Sequence, residues 1–197
     1  MKTKVIIFVG GAFFLFSIGL AGTAYGQVTD GQFVLHMGAA YAKTTEKNAG
    51  SGFVGFDLYA GKMLTNSLCV GFGVGYDIVS YNSEGGLKER LAIIPFQAKV
   101  LYFINLSQMM QLYVSLGGGA YRAIPHLSRE AQSEDWKIGD IAYTTTQPGG
   151  SVGIGLDYWF LLVNGVGFAF EYHLFSTDSE NFFTYFTARV DYTLIRF

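Results

Sequence analysis

Two ionisable residues, Glu171 and His173, stand at alternate positions within the apolar stretch Val166–Leu174. The same alternation sets five further charged residues among apolar neighbours: Asp57, Lys99, Asp157, Arg189 and Asp191. Residues two apart on a β-strand point to the same face, and charges removed from water need partners. We therefore expect these residues to form one charged layer, in which either at least one carboxyl group has a raised pKa or His173 and water share the excess of acids.

His126 and Ser128 form a second candidate site, with Glu130 two residues further on. In an extended segment these side chains share one side, where the imidazole could activate the hydroxyl as a nucleophile. His173 and Ser176 fail the same test because residues three apart on a strand point to opposite faces. The pattern makes hydrolase chemistry at His126, Ser128 and Glu130 a hypothesis.

Metal, cofactor and nucleic-acid sites are not expected. The three His and the single Cys are scattered without the spacing of metal ligands. The net charge of −2 becomes −4 once Lys2 and Lys4 are subtracted, so no basic surface is available to follow a phosphate backbone. The lone Cys69 cannot form an intramolecular disulfide, and we interpret it as a small apolar filler.

Alternation of apolar and small or polar residues recurs along the whole chain. Eight segments show it: 33–41, 54–61, 68–78, 94–102, 110–119, 151–160, 166–174 and 184–192. One face of each is bulky and apolar, whereas the other carries Gly, polar and charged residues. This is the pattern of a transmembrane β-barrel with a lipid-facing exterior and a polar interior, and the charged fraction of 14% agrees with it. Eight strands leave an interior that side chains fill, so an open channel is not expected.

Connection lengths alternate as they do in such barrels. Longer polar connections lie near 43–51, 82–89, 122–148 and 176–181, and shorter ones near 64–67, 104–108 and 164–165. Asn164-Gly165 predicts a type I′ hairpin turn. The connection 122–148 is long enough to continue the fifth and sixth strands as a hairpin beyond the membrane. An even strand count puts both ends of the barrel chain on the side of the short turns.

The N-terminal region has the layout of a secretory signal peptide. Lys2 and Lys4 precede an apolar run that ends at Leu20, and small residues follow as far as Gly26. We expect residues 1–26 to be a signal peptide that is cleaved after Gly26. Residues 27–197 then form one all-β domain.

The C-terminus ends on Phe197, with Ile195 two residues before it and Tyr192 upstream. This ending resembles the C-terminal targeting signal of bacterial outer-membrane barrels. Together with the length and the strand pattern, it makes residues from about 31 to 197 similar to the small eight-stranded OmpA/OmpX-type barrels. Thr193 and Leu194 disturb the alternation, so a β-bulge is expected there.

The resemblance implies an up-and-down antiparallel barrel in a Gram-negative outer membrane, in contact with lipid and lipopolysaccharide. It implies that Ile195 and Phe197 engage the barrel-assembly machinery. It also implies a lumen plugged by the charged layer. We expect a monomer, and we expect His36, nearer the short-turn end, to be hydrogen-bonded within the lumen.

The favoured function is structural or surface-interacting, without enzyme activity. The natural partner contacts are exposed loop residues: Arg122, Arg129, Trp136 and Lys137. A competing hypothesis is a lipid A-modifying enzyme, because outer-membrane barrels of the deacylase type use a His-x-Ser pair with a Glu. In those enzymes the pair lies near the C-terminus, whereas His126 and Ser128 follow the fifth strand. The pattern also leaves open a small-solute or ion pore and, for the fold, a soluble lipocalin-like barrel.

Overall fold

The computed structural model describes residues 30–45, 50, 52–82, 88–126, 145–161, 163–177 and 182–196. In this part of the chain, eight antiparallel strands follow one another around a closed barrel. They are β1 (Phe33–Thr44), β2 (Phe53–Met63), β3 (Leu68–Asn82), β4 (Lys88–Asn105), β5 (Met110–His126), β6 (Thr145–Trp159), β7 (Asn164–Ser176) and β8 (Phe182–Arg196). Because β8 pairs with β1 from Phe33 to Thr44, the barrel closes without a sheet edge.

The eight predicted strands are confirmed, and several are longer than the alternation indicated. β4 begins at Lys88 and β5 continues to His126, well past the predicted limits of 94 and 119. The backbone pairing of β5 with β6 reaches Ala123 and Thr145, inside the connection expected at 122–148. Alternation ends where the outward face leaves the apolar band, as at Arg122, but backbone pairing continues beyond that point.

The side chains of the barrel face the way the alternation predicted. Outward residues are apolar and exposed, with exposed fractions of 75% for Phe72 and 66% for Leu116. Inward residues are buried, including the charged Lys99 at 3% and Asp157 at 0%. In a closed barrel the backbone groups pair between neighbouring strands, so this inverted barrel suits a bilayer. The described residues include no helix that could span a membrane.

The predicted turn at Asn164-Gly165 is wrong. Both residues belong to β7, and the turn lies at residues 160–163, where Asn164 N donates to Leu161 O at 3.4 Å. Gly31, at φ 81°, is the one glycine with positive φ among the described residues, so Gly165 does not supply a type I′ turn. Gly165 faces the indole of Trp159, and a Cβ there would lie 2.9 Å from the ring atom Cε3. Space, not backbone conformation, accounts for this glycine.

The bulge expected at Thr193 and Leu194 is also wrong. The register of β8 with β1 runs without interruption through His36↔Thr193 and Leu35↔Leu194. Thr193 is buried at 0% and Ile195 at 2%, so the inward alternation of β8 continues to its end. The alternation looked interrupted because Leu194 and Ile195 are consecutive apolar residues, but Ile195 points inward and packs against other buried apolar side chains.

Candidate functional site in the barrel lumen

Arg189, on the inward face of β8, is the centre of a buried charge network. Its Nη1 donates to Asp57 Oδ1 at 2.6 Å, its Nε donates to Asp191 Oδ2 at 2.8 Å, and its Nη2 donates to the Tyr113 hydroxyl at 3.3 Å. The same Nη1 lies 3.5 Å from Glu171 Oε2. One guanidinium therefore connects carboxylates from three strands, as its fan of five donors allows.

Lys99, on β4, supplies the second permanent cation. Its Nζ lies 2.8 Å from Glu171 Oε1 and 3.0 Å from Oε2. Since Glu171 also faces Arg189, the two cations and the carboxylates of Asp57, Glu171 and Asp191 form one group, which we call the charge network. Among the predicted lumen residues, the structure brings these five together.

Small residues on the neighbouring strands make room for these long side chains. Lys99 pairs across the ladder with Gly71 on β3 and with Gly117 on β5. Arg189 likewise lies between Ala169 and Ala40. An eight-stranded barrel is only wide enough for its own side chains, so a large inward residue needs small cross-strand neighbours.

His173, also a predicted lumen residue, lies at the edge of the charge network toward the long connections. Its Nδ1 is 3.2 Å from the Tyr121 hydroxyl and its Nε2 is 3.3 Å from Thr187 Oγ1. The ring stacks on Tyr185 with centroids 4.5 Å apart. Its Nε2 lies 4.0 Å from Glu171 Oε1, so His173 borders the network without a short ionic contact.

Asp157 departs from the prediction of one charged layer. Its Oδ1 accepts from Thr193 Oγ1 at 3.3 Å, and its Oδ2 lies 3.5 Å from His36 Nε2. No described Lys or Arg makes a salt bridge with Asp157; those contacts go to Asp57, Glu171 and Asp191. Counting residues along strands gave Asp157 the same height as the others, but the stagger of the strands separates it from the two cations.

His36 lies in the lumen as expected, but no described residue makes the expected hydrogen bond with it. The ring is fully buried, and neither of its nitrogens has a hydrogen-bond partner there. Tyr59 and Tyr113 flank the ring at centroid distances of 5.8 and 5.4 Å.

Two apolar clusters lie at opposite ends of the lumen. The upper plug, toward the long connections, consists of Ala42, Val79, Leu91, Ile93, Tyr121, Ala123, Phe175, Phe183 and Tyr185. The lower plug, toward the short turns, consists of Val34, Tyr59, Met63, Cys69, Leu101, Phe103, Tyr113, Trp159 and Ile195. Their large rings are at most 7% exposed. The polar lumen is thus packed at both ends.

Sequence reasoning missed several members of the lumen. Asp77 accepts from the Tyr185 hydroxyl at 3.1 Å and is 2% exposed. Gln97 donates to Ser151 Oγ at 2.9 Å and to the Tyr121 hydroxyl. Strand parity already put Asp77 on the inward face, and that signal could have included it in the lumen. Its partner, on β8, follows only from barrel closure.

Among the described residues, His173 is an imidazole in contact with hydroxyl groups, those of Tyr121 and Thr187. Thr187 is 4% exposed and lies between the two plugs. A substrate would have to displace the upper plug to reach it. The described residues contain no group of His, Cys, Asp and Glu side chains suited to a metal ion.

The remaining candidate residues lie at or beyond the limits of the described chain. Arg122 is exposed on the outward face of β5, opposite Ile94 and Thr146. Ile195 packs in the lower plug. His126 is the last residue of β5. Its side chain is outside the described part, as are the following residues: Ser128, Arg129, Glu130, Trp136, Lys137 and Phe197.

Solved structures share this architecture. OprG of Pseudomonas aeruginosa matches with a TM-score of 0.61 and 12% identity, covering 88% of this chain and 99% of that one. Neisserial surface protein A matches with a TM-score of 0.54 and 16% identity, and the match covers 84% of this chain and 99% of that one. A third match is Ail of Yersinia pestis, solved in complex with the heparin analogue sucrose octasulfate. Its TM-score is 0.52 at 17% identity, and the match covers 84% of this chain and 100% of that one. The chain has the fold of the small eight-stranded outer-membrane β-barrels. The resemblance drawn from its strand pattern and C-terminus is confirmed for this fold.

Sequence comparisons add no family to that fold. No protein-family model matches the chain, and no curated protein matches it. An outer-membrane barrel fold is compatible with many functions, so the function has to be argued from the lumen and the loops.

Proposed function

We propose that this chain is an integral outer-membrane barrel that serves as a rigid anchor, with a structural or surface-interaction role on the side of its long connections. One observation carries the proposal: apolar plugs close the lumen at both ends and a charge network fills the space between them. A packed lumen neither conducts solutes nor admits a substrate. The surfaces left for function are the lipid-facing band and the loops.

The connection 122–148 is the main candidate for partner contact. At its base, Arg122–Ala123 pair with Thr145–Thr146. The stretch contains three Lys or Arg residues (Arg122, Arg129, Lys137) and four Asp or Glu residues (Glu130, Glu134, Asp135, Asp140). Ail was crystallised with a sulfated heparin analogue, but this balanced charge favours a protein partner, with Trp136 as an apolar anchor.

The remaining proposals concern export and assembly. Residues 1–26 act as a signal peptide and residues 27–197 form the barrel domain. Ile195 and Phe197 are recognised by the barrel-assembly machinery. The apolar band contacts lipid and lipopolysaccharide, and the barrel is a monomer. Hydrolase activity at His126, Ser128 and Glu130 stays a hypothesis that no described contact favours.

Closure of the lumen is tested by recording the refolded wild-type protein in planar bilayers. We expect no stepwise openings, because each end of the lumen is packed. Regular openings in the wild type would overturn the anchor proposal and favour the small-solute or ion pore.

The surface role is tested by replacing residues 127–144 with a short Gly-Ser linker. The replaced segment lies beyond the last described pair, Ala123↔Thr145, so the barrel should fold unchanged. A photo-crosslinking residue in place of Trp136 should join the wild-type loop to a surface protein on intact cells, and the shortened chain should yield no such product. Crosslinks to lipopolysaccharide alone would restrict the role to the membrane itself.

A further inference from the structure

A group of buried polar side chains lies below the charge network, on the side of the lower plug. His36 belongs to it, and both of its ring nitrogens lack a hydrogen-bond partner among the described residues. Asp157 Oδ2, 3.5 Å from His36 Nε2, also lacks one, as does Asp191 Oδ1. All three side chains are at most 1% exposed. Polar atoms buried in this way normally have a partner.

Strand register brings the three side chains to one place. Asp157 pairs with Gly167, Gly167 pairs with Asp191, and Asp191 pairs with Gly38. A Cβ built on Gly167 would lie 2.5 Å from Asp157 Oδ1 and 3.5 Å from Asp191 Cβ. Asp191 leans over Gly38 in the same way, since a Cβ built there would lie 2.5 Å from Asp191 Oδ1, and Gly38 is two residues along β1 from His36.

The second oxygen of each carboxyl group is already engaged. Asp157 Oδ1 accepts from Thr193, and Asp191 Oδ2 accepts from Arg189. The atoms left over are two carboxyl oxygens, which accept when ionised, and an imidazole, which in its neutral form offers one donor and one acceptor. A small ligand that reaches both carboxyl oxygens and the Nε2–H of His36 must donate two hydrogen bonds and accept one. Anions do not meet that requirement.

We propose that these three side chains form a binding site for an ordered water molecule that bridges His36, Asp157 and Asp191. Water has two donors and two acceptor lone pairs, and buried waters typically make about three hydrogen bonds. The bridge connects Asp157, which has no Lys or Arg partner among the described residues, to the charge network through Asp191. With this bridge, hydrogen-bonded polar side chains extend from the upper plug to the lower plug.

Crystals of the full chain, diffracting well enough to show water and soaked in rubidium chloride, test the site. The expected result is a density peak within about 3.2 Å of a His36 ring nitrogen and of Asp157 Oδ2, without anomalous signal. An anomalous rubidium peak would overturn the proposal in favour of a monovalent cation site. A direct His36–Asp157 hydrogen bond with no peak would overturn it as well.

Two variants separate the site from lumen hydration in general. His36→Phe should abolish the peak, whereas Asp77→Asn, in the upper lumen beside Tyr185, should leave it in place. Persistence of the peak in His36→Phe would contradict the bridge. Should His36→Phe not fold, nuclear Overhauser contacts between water and the amides of Gly38 and Gly167 in the wild-type protein decide the question. Their absence would overturn the proposal.

Discussion

The buried acidic side chains outnumber the two buried cations, Arg189 and Lys99. The buried side chains of the described residues include five carboxyl groups (Asp57, Asp77, Asp157, Glu171 and Asp191) but only these two Lys or Arg residues. Removing one partner of a buried ion pair leaves an uncompensated charge, which costs far more than the net contribution of the intact pair. Single substitutions in the charge network should therefore be severe.

Lys99→Met tests this residue-scale argument. Glu171 would lose its 2.8 Å contact, so the free energy of unfolding should fall by about 3–5 kcal/mol. Urea unfolding in lipid vesicles, followed by tryptophan fluorescence, measures the change. The exposed Lys62, which lies over the Phe33 ring, is the matched control: Lys62→Met should cost less than about 1 kcal/mol.

The double variant Lys99→Met with Glu171→Gln gives the complementary result. Because no unpaired carboxylate remains beside the new apolar side chain, part of the lost stability should return. A double variant as unstable as the sum of the two single variants would contradict a direct pairing between Lys99 and Glu171.

At the scale of the strands, stability depends on matching large inward side chains to small ones across the ladder. Tyr113 on β5 pairs with Gly155 on β6, and a Cβ on Gly155 would overlap the tyrosine ring. Gly118, one strand away on the outward face, has no heavy atom within 4 Å of the same position. Two glycines in adjacent strands thus serve different purposes.

Gly155→Val should destabilise the barrel by about 1–3 kcal/mol through overpacking against Tyr113. Gly118→Ala should cause no loss, since it fills open space and lowers the backbone entropy of the unfolded chain. Resistance of the folded barrel to heating in dodecyl sulfate, read as gel mobility, compares the two. Equal heat resistance of both variants would contradict the packing argument.

In an outer-membrane location the outward face of the strands would contact lipid, and Phe72 on β3 is the most exposed large side chain among the described residues at 75%. Phe72→Lys should cost about 2–4 kcal/mol near the bilayer midplane. The control Phe72→Leu keeps an apolar surface and should cost much less. Refolding yield in vesicles measures both, and a well-tolerated lysine would mean that this face does not contact hydrocarbon.

At the scale of the whole molecule, the two plugs act in series. Phe175 in the upper plug stacks on Tyr121 at 5.3 Å, while Trp159 in the lower plug donates its indole hydrogen to Gln111 Oε1 at 3.0 Å. Loss of either plug leaves the other in place. The closure we propose would therefore be a property of the assembled barrel rather than of one gate residue.

Single variants Phe175→Ala and Trp159→Ala should remain silent in planar bilayers, and the double variant should show small openings. These openings should favour potassium over chloride, because the lumen between the plugs holds more carboxyl groups than cations. Reversal potentials in a salt gradient measure the preference. Conductance in either single variant would show that one plug seals the barrel alone.

Sequence by itself determined the strand count, the face each strand turns to lipid, and the inward position of every predicted lumen residue. These features are local, because a period of two follows from the geometry of a single strand. Tertiary structure alone decided that Arg189 meets Asp57, that Asp157 meets His36 and that Asp77 meets Tyr185. Such pairs depend on register and stagger around the closed barrel, which no single strand encodes. The turn at 160–163 was missed for the same reason, since Gly165 is required by the packing of Trp159.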